Sequence, residues 1–98
     1  MKYTVKPSVF AKTDKKEIIK HLDQYSTTAP TRFRQALKKY LDIISDNPHI
    51  FSVYQASPAY RHVVVYDSYV IFYSIDEQTK IVLLHRILHG AQDIENVL

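Results

Sequence analysis

Five polar residues interrupt or follow the apolar stretches of the chain's second half with groups able to hold or move charge: Arg61, His62, His85, Arg86 and His89. Two guanidinium groups and an imidazole gathered at one end of a sheet could bind a phosphodiester. The arginines would stabilise developing negative charge and the histidine would transfer a proton. Arg61, Arg86 and His89 are the candidate catalytic set on that reading. A plainer reading gives each a structural task. Arg61 would open a strand and pair with a C-terminal acid such as Asp93, Arg86 would run its stem along the sheet with its head in water, and His62 and His85 would be ordinary sheet residues. The combination stands out because residues 41–98 hold only one other Lys or Arg, Lys80. Strand register decides whether Arg61 and Arg86 share a face, and one slipped residue reverses the answer.

Other chemistries find less support. His85 and His89 stand four apart, a metal-ligand spacing on a helix, but their segment reads as strand passing into a turn, so no metal site is expected. The chain has no cysteine, which removes disulfides, zinc-thiolate sites and thiol nucleophiles. No Gly-rich phosphate loop and no local Ser nucleophile signature is present, and no cofactor is implied. Tyr54, Tyr60, Tyr66, Tyr69 and Tyr73 could stack on bases, although tyrosine in strands is more often half-buried packing.

The elements that must position these groups follow from periodicity. Lys2 to Lys6 alternates, with Tyr3 and Val5 on one side, and Pro7 ends it, which predicts a short edge strand. A helix follows from Ser8, with Ala11, Ile18, Leu22 and Tyr25 on one stripe and Ile19 beside it. Ser8 is one possible cap and Asp14 with Glu17 a second start. Ser26 to Pro30 breaks this helix and begins another, with Thr28 as the expected cap and Pro30 in the first turn. Phe33, Leu37, Tyr40, Leu41 and Ile44 form the clearest apolar stripe in the chain, stopped by Asp46-Asn47-Pro48. So short a connection predicts an antiparallel helix hairpin that needs a sheet to cover. Tyr60 to Tyr66, Tyr69 to Ile75 and Lys80 to Leu88 are rich in β-branched and aromatic residues and predict a three-stranded antiparallel meander. Both its faces are apolar: Tyr69, Ile71, Tyr73 and Ile75 point one way, Val70, Phe72 and Ser74 the other. The hairpin covers one face; the C-terminal segment, a second copy or a partner must cover the other. Gly90 marks a break, and Ala91 to Leu98 is expected to form a short terminal helix.

At 98 residues and 46% hydrophobic composition, the chain is expected to be one domain, 1–98, with disorder excluded as its main state. Short apolar runs and an N-terminus dotted with lysines predict a soluble, unexported, cytoplasmic protein without a membrane partner. Charge divides sharply. Residues 1–40 carry ten Lys or Arg against three acids, net +7, while residues 41–98 carry three against seven, net −4. A basic half attracts an acidic partner or nucleic acid, or is simply a solvated helix face.

The order strand, helix hairpin, meander and short tail, with Tyr60-Arg61 opening the meander and Arg86-Ile87-Leu88-His89-Gly90-Ala91-Gln92-Asp93-Ile94 closing it, resembles the RelE/ParE superfamily of toxins from bacterial type II toxin–antitoxin systems. The run Val70 to Asp76 and the closing R-I-L-H-G-x-x-D pattern look most like the ParE-type branch. The resemblance implies an α+β fold and a toxin held inactive by an antitoxin that wraps over the sheet and helices, to which a basic first half is suited. Two mechanisms live on this fold. ParE-like members inhibit DNA gyrase as binders. RelE-like members are endoribonucleases cutting mRNA on the ribosome, with residues matching Arg61, Arg86 and His89 assisting attack of the ribose 2′-OH. Residues 47–58 contain no Lys, Arg or Glu, and the tail carries Asp93 and Glu95 instead of positive charge, so an mRNA would be poorly welcomed. The expectation is therefore a gyrase-inhibiting toxin, with the mRNA endoribonuclease as the alternative.

Overall fold

The computed structural model describes residues 2–90 and 94–98, for 95 and 96 without their side chains. The order is β1 (Thr4–Pro7), α1 (Val9–Asp23), α2 (Ala29–Asp46), a 3-10 turn (Pro48–Ile50), β2 (Ser52–Val53), β3 (Arg61–Tyr66), β4 (Tyr69–Asp76), β5 (Ile81–His89) and α3 (Ile94–Val97). The expected α+β architecture is present, with the helix hairpin over one face of a sheet built on the β3–β4–β5 meander.

Two features of the sheet go beyond the sequence reading. β1 joins it parallel to β5, pairing Thr4 with Ile81 through Pro7 with Leu84, and the two residues of β2 close the far edge against Arg61 and His62. The result is a five-stranded mixed sheet in the order β1-β5-β4-β3-β2. Pro7 belongs to β1 and does not stop it before position 7, because on an edge strand its missing N–H leaves no ladder partner wanting. The meander turns need no glycine: Asp67 and Lys80 take positive φ angles of 48° and 57° at the two reversals, and aspartate tolerates that region better than most residues. Gly90 follows β5 where a Cβ would lie 3.3 Å from the Ser68 carbonyl oxygen, to which the Gly90 amide donates at 2.7 Å.

Helix α1 begins at the first of its two candidate starts. Ser8 Oγ accepts from the Ala11 amide at 3.0 Å and donates to the His85 carbonyl at 2.6 Å, so one hydroxyl caps the helix and ties it to β5. At the head of α2, Thr28 makes no capping bond; Ser26 Oγ takes the Thr28 and Ala29 amides instead. Tyr25 leaves the apolar stripe because α1 ends at Asp23 and the chain has already turned, which leaves the ring 77% exposed against His21.

Phe33 of α2 is the centre of the main core, fully buried and edge-on to Tyr66 and Tyr69. Leu37 and Ile44 continue the stripe over Ile71, Tyr73, Val82, Leu84 and Ile87. On the other sheet face Val70, Phe72 and Leu88 are buried under Tyr54, Ile94 and Leu98, so the C-terminal segment supplies cover there. A register shift between Phe72 and Tyr73 inserts His85 as an extra residue in β5: Phe72 pairs with Arg86, but Tyr73 pairs with Leu84. The bulge reverses the parity of the strand, which is why Leu84 and Ile87 both reach the helix-side core.

Candidate functional site

Strand register settles where the two arginines lie. Arg61 pairs with Tyr73 and Arg86 with Phe72. Consecutive β4 residues face opposite ways, so the register assigns Arg61 to the helix side and Arg86 to the other. His89 pairs with Tyr69, four positions from Tyr73 along β4, or roughly 13 Å at the usual strand rise. The three candidate residues are thus set apart.

Each has its own surroundings. Arg61 Nη1 donates to the carbonyls of Phe51 at 2.7 Å and His49 at 3.3 Å, and Tyr73 Oη donates to the Pro48 carbonyl at 2.7 Å. Together they staple the 3-10 turn and β2 against the sheet end. Burial pushes the Tyr73 phenol up to about 12, with the nearby Arg61 charge opposing, so the hydroxyl stays a donor. Asp93, the acid that could have paired with Arg61, lies outside the described residues, as does the rest of the closing motif from 91 to 93.

Arg86 reaches across the edge of β5 that β1 leaves unpaired beyond Leu84. Its Nε and Nη2 donate to the two oxygens of Asp14 at 2.7 and 2.9 Å, and Asp14 Oδ2 also accepts the Ile87 amide at 3.0 Å. The side chains are only 22% and 13% exposed, and the guanidinium lies 5.6 Å from the centroid of Phe10. The Asp14 hydrogen bond raises the guanidinium's pKa further above its ordinary value. Asp14 therefore does for the open half of β5 what a neighbouring strand would do, while balancing the charge of Arg86. The sequence held one signal of this: Asp14 falls three residues after Ala11 and four before Ile18, a carboxylate on the buried stripe of α1.

The histidines have settled roles. His89 meets Tyr69 edge-on at 5.1 Å. His85 places Nε2 at 2.7 Å from Ser74 Oγ and its ring at 4.7 Å from Tyr60, and burial lowers its pKa below the ordinary histidine value, favouring the neutral ring. His62 stacks on Phe72 and donates from Nδ1 to the Ser52 carbonyl at 3.2 Å. A cluster invisible in the sequence centres on Glu77, whose carboxylate receives Tyr3 Oη at 2.8 Å, Lys80 Nζ at 3.1 Å and His49 Nε2 at 2.6 Å. The hydrogen bonds from Tyr3, then Lys80 and His49, hold that carboxyl down to about 2. Among the described residues no three His, Asp or Glu converge to hold a metal ion, and no helix is long and apolar enough to cross a membrane.

Comparison with known proteins bears on the whole chain. Residues 5–94 match a family model described as the ParE toxin of the type II toxin–antitoxin system parDE. Among solved structures, the chain is similar to one in the toxin–antitoxin complex RelBE2 from Mycobacterium tuberculosis, with a TM-score of 0.69, 18% identity, and coverage of 91% of this chain and 99% of that one. At that identity the likeness speaks for the fold alone. The search of curated proteins returns no match.

Proposed function

Because the chain belongs to the ParE toxin family of type II toxin–antitoxin systems, we propose that it arrests growth in the cytoplasm by binding DNA gyrase, and that a cognate antitoxin wrapping its sheet and helices holds it inactive. The observation that carries the choice of mechanism is the separation of the arginines. On the ribonuclease reading, Arg61, Arg86 and His89 would gather around one phosphate, the cations holding its charge and the imidazole moving a proton. Here the register points Arg61 and Arg86 to opposite faces, and while Arg61 rests on backbone carbonyls, Arg86 turns across the open edge of β5 into a two-pronged pair with Asp14 of α1. His89 pairs four positions further along β4. Bringing Arg61, Arg86 and His89 to one phosphate would require the Asp14 pair to open. A binder has no such requirement.

The test is plasmid topology in cells arrested by expression of the chain. Loss of negative supercoiling is the expected result. Normal topology during full arrest would reject gyrase as the target and return the ribosome with its mRNA to first place.

A further inference from the structure

The outer face of the helix hairpin carries cations that the fold does not use. Lys12, Lys16 and Lys20 recur every four residues along α1 and so form one stripe, about 12 Å long at the helical rise. The residues that α1 buries, Ala11 and Ile18, lie on the side away from Lys16. Arg34 of α2 shares with Lys16 and Lys20 a cleft of about 570 Å³ at the hairpin tip, which the hydroxyl-bearing Thr27 and Thr31 also line. Asp23 is the one acid among the lining residues; Glu17, one position after Lys16, is turned about 100° around the helix. All four cations are exposed. None of them makes an ion pair among the described residues, whereas Lys38, also on α2, is engaged by Asp42 at 3.1 Å.

We infer that this face grips the phosphate backbone of duplex DNA, the nucleic acid on which gyrase acts, with Lys12, Lys16, Lys20 and Arg34 on phosphate oxygens and Thr27 and Thr31 donating beside them. Each strand of a duplex carries one phosphate per about 3.4 Å of axis, so a stripe of about 12 Å runs beside about four of them. Lysine, arginine and threonine are side chains that contact phosphate oxygens, and such contacts need no group that reads a base. A protein partner would call for an apolar or aromatic anchor at the centre of its interface, where charged residues are depleted. The exposed large apolar side chains nearest in sequence are Val9 and Phe10 before the stripe and Tyr25 beyond it, and none lies between Lys12 and Asp23 or in α2. A second copy would set like charges against each other. The inference rests on the gyrase reading for the choice of DNA over RNA and is otherwise separate from it, since DNA binding is measured without gyrase.

The test titrates the whole purified chain into a fluorescein-labelled DNA duplex and follows anisotropy across a salt series. It compares wild type with a variant combining Lys16→Gln, Lys20→Gln and Arg34→Gln, and with one combining Lys2→Gln, Lys6→Gln and Lys39→Gln. Both variants lose the same net charge at exposed positions, and melting curves check that each folds, with the single substitutions standing in for a triple variant that melts early. Wild type should bind with a steep salt dependence. The hairpin-face variant should bind roughly tenfold more weakly or worse, its salt slope reduced by about 2–3 for the lost phosphate contacts, while the other variant keeps the wild-type slope. Equal losses in the two variants would reduce the effect to net charge and overturn the face. No binding by wild type at low salt would overturn the DNA contact and leave the gyrase reading to plasmid topology. An RNA duplex of the same sequence held more tightly would overturn the choice of DNA. Polyglutamate bound more strongly than DNA at equal charge would make the face a seat for an acidic protein and overturn the inference as well.

Discussion

Arg61 and Arg86 stand one β4 position apart in register, yet their surroundings differ in kind. Arg86 meets a carboxylate, so its charge is balanced and its geometry fixed on two oxygens at the open edge of β5. Among the described residues Arg61 meets backbone carbonyls, which orient the guanidinium without neutralising it. A charge-paired, mostly buried arginine is an anchor whose loss strands its partner; a carbonyl-bound one is a staple whose loss costs ordinary hydrogen bonds. The lesson is that two arginines with the same sequence credentials for a phosphate site have been placed by strand register into two separate structural tasks.

The largest expected effect is Arg86→Ala, which leaves Asp14 without its cation. Denaturant unfolding should show a loss of about 2–3 kcal/mol, below the figure for fully buried pairs because both side chains keep some solvent. Arg61→Ala should cost about 1–2 kcal/mol for its two carbonyl bonds, together with faster amide exchange at 49–53 and little change in α1. The double variant sharpens the comparison: its loss should equal the sum of the singles to within about 0.5 kcal/mol. A larger coupling would mean the two side chains share one site after all, and would break the distinction.

Smaller effects concern pH. Burial lowers the His85 pKa in the fold below 6.5, so as pH falls beneath 6.5 the unfolded chain takes up a proton first and stability declines through the folded value. His85→Gln should flatten that decline in melting curves taken stepwise across the range. Glu77 is depressed from 4.5 to about 2, so its contribution is complete above 4.5 and lost as pH falls toward 2. Glu77→Gln should remove that part of the acid slope, a small effect because the site is open to water.

Local pattern made much of this legible. The α2 stripe from Phe33 to Ile44, the β-branched runs of the meander and the Gly90 break each follow from side-chain periodicity within a dozen residues. The partnerships that span the chain did not. β1 pairing with β5 joins residues almost eighty positions apart, and Asp14 meets Arg86 across 72; nothing in a local window selects those partners. The bulge at His85 is the sharpest case. Strict alternation through β5 puts Leu84 and Ile87 on opposite faces, and one extra residue places both in the same core. The face of Arg86 relative to the first half of β5 hinges on that single residue, which no propensity announces.

The most direct test of the central claim, that this toxin binds and does not cut, gives the same purified chain to gyrase acting on relaxed plasmid and to ribosomes translating a defined mRNA. The account predicts lost supercoiling and intact message. Codon-positioned cleavage with gyrase unaffected would contradict it, and would mean that Arg61, Arg86 and His89 converge on the ribosome in a way the free fold does not display.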